Sequence, residues 1–177
     1  NKMMSVFPDA VRKADSIIAV SEFIKSELIK YYHVQDKKIE VIYPGCSDIF
    51  RPIDLEIAKS VLKNRYKIID KYILYAGSIH KRKNLEVIIK AFKSLCKESN
   101  SLKLIIIGNY DLKRKEYYIQ LKNLAGELEI QDKVIFLGRV DYFDMPYFYN
   151  CACCSVNLSE YDGFPISAVE ASACNCP

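Results

Sequence analysis

Tyr72-Ile73-Leu74-Tyr75-Ala76-Gly77 opens the part of the chain from which the fold is read. Five apolar residues run without a polar break and stop at glycine, the pattern of a strand buried on both faces. Leu85 to Leu95 follows, with Ile88, Ile89, Phe92 and Leu95 at helical spacing. The alternation then repeats. Leu102 to Gly108 reads as strand and Lys113 to Leu128 as helix, Val134 to Gly138 as strand and Met145 to Asn150 as a short helix. Ala152 to Leu158 reads as strand and Phe164 to Ala173 as helix. Continuous apolar strands alternating with helices mean a parallel sheet covered on both faces, so the expected class is α/β with a doubly wound parallel sheet.

Towards the amino end, Ile17-Ile18-Ala19-Val20 meets Ser21, a residue that caps helices, and predicts strand then helix. Ile39 to Tyr43 alternates like a strand, Pro44-Gly45 ends it in a turn or linker, and Glu56 to Asn64 reads as helix. The 177 residues suit one ordinary domain or one and a half small ones, and half of them are apolar. Disorder, collagen and coiled coil do not fit that composition. The charge of +4 is spread along the chain and does not single out nucleic acid. No apolar run approaches the ~20 residues of a membrane helix, and no signal-peptide pattern opens the chain.

Ligands of open α/β sheets bind beyond the carboxyl ends of the strands. The loops there are Gly77 to Asn84, Gly108 to Asp111, Gly138 to Asp141 and Ser159 to Gly163. Three begin at glycine, which either lets backbone approach a ligand or merely turns the chain. The first reads Gly77-Ser78-Ile79-His80-Lys81-Arg82-Lys83-Asn84, three cations between a strand end and a helix start. Helix amides beside fixed cations suit a diphosphate; a solvated basic face is the plainer account. Neither Gly-x4-Gly-Lys-Ser/Thr nor Gly-x-Gly-x-x-Gly occurs, which removes kinase, ATPase and ordinary dinucleotide oxidoreductase readings. In the last loop Asp162 fits a helix N-cap, Pro165 fits a first turn, and Gly163 and Phe164 offer amides. Glu170, expected two turns further in, can accept two ribose hydroxyls, or else is a surface residue.

Asp162-Gly163-Phe164 through Val169-Glu170-Ala171 resembles the Glu-Gly-Phe-x4-Leu-Glu-Ala pattern of family 4 glycosyltransferases. Tyr43-Pro44-Gly45-Cys46-Ser47-Asp48-Ile49-Phe50-Arg51-Pro52 is similar to the family's crossing segment, Gly77 to Asn84 to its phosphate loop, and Val134 to Gly138 to its Val-x-Phe-x-Gly strand. The four stand in the family's order and cover most of the chain. The resemblance implies the C-terminal, Rossmann-like, nucleotide-sugar-binding domain of a GT-B glycosyltransferase. Residues 1–30 would be the end of an N-terminal domain or a strand-helix lead-in, 31–52 the crossing segment, and 53–177 a C-terminally truncated donor-binding domain.

The implied activity is retaining transfer from a GDP- or UDP-sugar to a glycan or lipid-linked acceptor, with no cofactor and no obligatory metal. The fragment alone is expected to be inactive. Arg82, Lys83 and Asp162 would be catalytic, the two cations neutralising the leaving diphosphate. Gly77, Ser78, Gly138, Arg139, Val140, Asp162, Gly163, Phe164 and Glu170 would bind donor: the Gly138-Arg139-Val140 backbone at the base, Glu170 at the ribose, and Asp162 with amides near Phe164 at the sugar. A cytoplasmic setting with contact at a membrane's inner face, and no nucleic-acid partner, completes the expectation. Three departures stand out. Asp162 replaces a usual Glu, Ser78 replaces a common Arg, and Pro165 replaces a common Gly and so removes an amide.

A non-catalytic nucleotide-sugar-binding or partner-docking domain would carry the same motifs. The seven cysteines lack disulfide-domain spacing and suggest a reducing compartment. A zinc site at Cys151, Cys153, Cys174 and Cys176 is a rival reading, opposed by an expected strand in which Cys151 and Cys153 share a face and Cys154 lies opposite. His33 reads as a surface or capping residue, His80 as an anion donor or a bystander, and the thirteen tyrosines as packing.

Overall fold

The computed structural model describes residues 2–109 and 115–177, with side chains from Phe7 onward. The expected helix start at Lys113 and the end of the Gly108 to Asp111 loop lie outside the described residues. The chain forms two compact units, one comprising the chain to Gly45 together with Asp162–Ile166, the other Cys46–Tyr161 and Ser167–Pro177.

The first unit holds α1 (Lys2–Lys13), β1 (Ile17–Ala19), α2 (Glu22–Tyr32) and β2 (Ile39–Val41). β1 and β2 pair in parallel, Ile17 with Ile39, over a small core of Val11, Ala19, Leu28, Val34 and Ile39. Ser21 caps α2 as the sequence predicts, its Oγ accepting from Ile24 N at 3.2 Å. That hydroxyl also donates to the Gly163 carbonyl at 2.7 Å. A Cβ on Gly163 would sit 3.2 Å from Ile24, so glycine there admits close packing against α2. The Phe164 ring lies 6.0 Å from that of Tyr43.

The second unit contains α3 (Leu55–Val61), β3 (Tyr72–Ala76), α4 (Leu85–Leu95), β4 (Lys103–Ile107), α5 (Lys115–Glu127), β5 (Val134–Gly138), α6 (Met145–Cys151), β6 (Cys154–Ser155) and α7 (Ile166–Ala173), whose first residue, Ile166, is counted with the first unit. The sheet is parallel, in the order β5-β4-β3-β6. Leu104 and Ile106 pack with Tyr75 against Leu85, Ile89 and Phe92 of α4 and Leu121 of α5. Leu74, Ile105 and Ile107 face the other way, towards Leu62, Phe148, Tyr149 and Ala171. Burial on both faces explains why these strands read as unbroken apolar runs. The doubly wound α/β class is the one observed.

Three local readings need correction. β6 spans two residues rather than Ala152 to Leu158, because Cys151 closes α6, Ala152 caps it, and Leu158 is drawn away by Asn84. The cysteine argument built on a longer strand therefore lapses. Cys174 and Cys176 lie in the core, where burial above all pushes each thiol up to about 11. Finally, α7 begins at Ile166 rather than Phe164, so Asp162 lies ahead of the cap position, Gly163 and Phe164 precede the helix, and Glu170 is about one turn in, not two.

Candidate functional site

β3 is the strand from which the winding turns both ways. The chain moves through β4 to β5 on one side and returns to β6 on the other. The carboxyl ends of β3 and β6 therefore flank the switch point, where open sheets leave a crevice. A separate cleft of ≈ 290 Å³ near Leu62, Lys63, Ile68 and Tyr72 sits at the opposite, amino end of β3.

At the switch point the loop after β3 is tightly organised. Tyr75 donates its hydroxyl to the Ser78 carbonyl at 2.9 Å. His80 Nδ1 accepts from Arg82 N at 3.2 Å and caps a 3-10 turn over Lys81–Lys83. Asn84 ends that turn at φ 53°, a left-handed conformation Asn tolerates, and passes the chain into α4. The three cations thus lie on one turn leading into a helix of 11 residues. His80 serves as a cap.

The exit from β6 is laced to this loop. Arg82 Nη1 donates to the Tyr161 carbonyl at 2.7 Å, Glu160 N to the Arg82 carbonyl at 2.9 Å, and Asn84 Nδ2 to the Leu158 carbonyl at 3.0 Å. A guanidinium carries five N–H donors, so a bond to Tyr161 is compatible with simultaneous contact to an anion. Asn84 and the strut role of Arg82 escape the sequence, because their partners lie more than 70 positions away.

Gly77 and Gly108 meet each other. Gly77 N donates to the Ile107 carbonyl at 2.9 Å, and a Cβ on Gly108 would collide with the Gly77 carbonyl, 2.8 Å from its carbon. Glycine at 108 is required by backbone lying on backbone. Gly138 differs: at φ 71° it takes a left-handed turn with open space where a Cβ would be. Arg139 beyond it is exposed, and Val140 packs partly against the core.

Glu170 projects from α7 towards α6, half-buried, and its Oε2 accepts from the Tyr149 hydroxyl at 3.0 Å. Burial raises its pKa above the ordinary 4.5, and the Tyr149 bond opposes that rise. Tyr149 is itself fully buried and stacks edge-on against Phe50 at 5.9 Å. No sequence signal marks it as the partner of Glu170.

Among the predicted site residues, Gly77, Ser78, Arg82, Lys83 and the Gly138-Arg139-Val140 stretch follow parallel strands at the same edge of one sheet, and Glu170 belongs to the same unit. Asp162, Gly163 and Phe164 belong to the first unit, with the contacts described there. Among the described residues, no three of His, Cys, Asp or Glu gather closely enough to hold a metal ion, and no helix is long and apolar enough to cross a membrane.

Residues 60–177 match the family model of glycosyl transferases group 1, and residues 2–48 that of glycosyltransferase family 4. A mannosylfructose-phosphate synthase of Agrobacterium fabrum is 29% identical over 170 residues, covering 94% of this chain and 37% of the relative. The O-antigen chain mannosyltransferase RfbU of Salmonella typhimurium is 30% identical over 168 residues, covering 95% and 42%. This chain thus spans about two fifths of the relatives it matches. The crystal structure of Anabaena Alr3699/HepE in complex with UDP and glucose superposes with a TM-score of 0.84 at 20% identity, over 95% of this chain and 44% of the other. A family model covering two thirds of the sequence and a GT-B fold shared at that score agree: the chain belongs to the group 1 glycosyl transferases.

Proposed function

We propose that this chain is the donor-binding half of a retaining, metal-independent glycosyltransferase that moves a sugar from a GDP- or UDP-sugar to a glycan or lipid-linked acceptor at the cytoplasmic face of a membrane. Arg82 and Lys83, beside the first amides of α4, neutralise the leaving diphosphate. Charge grows on that group in the transition state, and preorganised cations and amides stabilise it at no reorganisation cost. Glu170 accepts the ribose hydroxyls, the Gly77-Ser78 backbone borders the phosphates, and the Gly138-Arg139-Val140 backbone meets the base. Asp162, with the Gly163 and Phe164 amides, holds the sugar. One observation carries the reading: the cationic turn at 81–83 is hydrogen-bonded to the β6 exit at the switch point of the sheet. A solvated basic face has no need of such a lock.

Titrating UDP and GDP into the chain tests it. Glu170→Ala is expected to weaken both by about 10- to 100-fold, the loss of hydrogen bonds to a charged acceptor. Equal binding by the two proteins removes the ribose role.

The pH dependence has a definite sign. Only ionised Glu170 accepts two hydroxyls, and its folded pKa is raised, so affinity falls on acidification at a pH above the ordinary 4.5. In the unliganded protein a raised carboxyl pKa means that the native state holds the proton more tightly. Its stability contribution is present at low pH and declines as pH rises through that window. Tyr149→Phe removes a bond that lowers the pKa, and is expected to shift the acid limb of nucleotide binding to higher pH. An unmoved limb, measured by calorimetry across pH 4 to 8, sinks the Glu170 assignment.

Metal independence predicts that chelation with EDTA leaves the initial rate of the protein carrying this chain unchanged. A rate lost to EDTA and restored by a divalent ion overturns it.

A further inference from the structure

The stretch after β5 is braced from below by residues that no motif marks. Before β3 the chain leaves α3 through a π-helical turn, Leu62–Tyr66, which ends at Lys67 in a left-handed conformation, φ 60°. Single π turns occur frequently where a side chain must be re-aimed for function. This one carries Arg65 and Tyr66 to Asp144, a carboxylate only 4% exposed. Arg65 Nη1 donates to Asp144 Oδ1 at 2.6 Å, and the Tyr66 hydroxyl donates to Oδ2 at 2.6 Å. Burial and the bond to Asp144 together hold the pKa of that hydroxyl up at about 12. Asp144 N in turn donates to the Asp141 carbonyl at 3.0 Å, and Asp141 Oδ1 accepts from Phe143 N at 2.9 Å.

We infer that Tyr66 and Asp144 are positioning residues for the nucleotide base, fixing the end of the Gly138–Asp141 segment through the Asp144 amide, which donates to the Asp141 carbonyl. This rests on the donor-binding reading above. The argument is one of placement. Gly138 turns left-handed and its carbonyl accepts from Gly108 N at 2.9 Å, so the segment is pinned at its start. Its other fixed point is Asp141, whose carbonyl accepts from the amide of Asp144, a residue anchored by its own buried, doubly bonded carboxylate. A buried charge with both oxygens bonded resists displacement, because releasing either partner leaves it unpaired.

The readout that separates this role from general support is the ligand dependence of the loss. Tyr66→Phe keeps the ring, which packs edge-on against Phe148 at 4.9 Å, and removes only the bond to Asp144. It is expected to weaken UDP and GDP by about 3- to 10-fold, the range of one hydrogen bond, while inorganic pyrophosphate, which lacks base and ribose, binds as before. Arg65→Met, which leaves the Tyr66 bond to Asp144 in place, is expected to give a loss of the same pattern. Unchanged UDP and GDP affinity in Tyr66→Phe overturns the inference, and so does an equal loss for pyrophosphate. Wild-type chain that binds neither nucleotide overturns the donor-binding reading itself, a distinct result.

Discussion

Replacing Arg82 with alanine in the protein that carries this chain is expected to lower kcat by about 10²- to 10³-fold, the usual effect of removing one preorganised donor from developing charge. Two losses contribute. The guanidinium no longer neutralises the departing diphosphate, and the Tyr161 carbonyl loses its strut to the cationic turn. Conservative variants separate them. Arg82→Gln keeps a donor for Tyr161 without charge and is expected to remain slow, whereas Arg82→Lys keeps charge and recovers most of the rate. Steady-state kinetics with saturating donor decide the matter. Recovery by Gln to the level of Lys would make Arg82 a structural strut and nothing more.

Gly108→Ala is expected to be the most damaging small substitution in the sheet. Its methyl group meets a backbone carbonyl, that of Gly77, and neither β3 nor β4 can retreat, since their ladder runs from Tyr72↔Lys103 to Ala76↔Ile107. Overpacking costs about 1 to 3 kcal/mol where side chains can give way, so a rigid neighbour puts this case at about 3 kcal/mol or above. For a chain of this size that lowers Tm by roughly 10 °C. Gly126→Ala, in α5 with open space around it, is expected to stabilise by about 0.5 to 1 kcal/mol. Calorimetric melting of the pair checks both signs. A Gly108→Ala protein that melts with wild type contradicts the close approach of β3 and β4.

Much of the architecture was legible because of how it is buried. Tyr72 to Ala76, Leu104 to Ile107 and Val134 to Gly138 are covered on both faces and so appear as unbroken apolar runs, while Ile88, Ile89 and Phe92 carry the helical period of α4. Features that depend on distant partners were not legible. Nothing near Leu158 announces that Asn84 will hold its carbonyl, so β6 reads longer than it is. Pro165 fits a first helical turn, yet it precedes the helix, which shifts Asp162, Gly163 and Phe164 onto the lead-in. α1 went unread, with Pro8 inside it breaking the pattern. At Gly108 the residue type was informative but its cause was not: the close approach is to the Gly77 backbone, between the two loop starts just past β3 and β4.

The candidate site divides in the same way. The Lys81-Arg82-Lys83 turn declares itself by local composition, and its place at the end of β3 follows from the strand pattern. Glu170 is visible as a residue, but the half-burial and the Tyr149 bond that raise and trim its pKa come only from the packing of α6 on α7. Arg65, Tyr66 and Asp144 are ordinary polar residues in sequence; the π turn is what gathers them.

A crystal structure of the chain soaked with UDP, and in parallel with GDP, tests the central claim most directly. The account predicts difference density with the diphosphate against residues 81–84, the ribose within hydrogen-bond reach of the Glu170 carboxylate, and the base beside Gly138–Val140. Nucleotide ordered elsewhere, or a diphosphate on the cationic turn with its ribose directed away from Glu170, contradicts it.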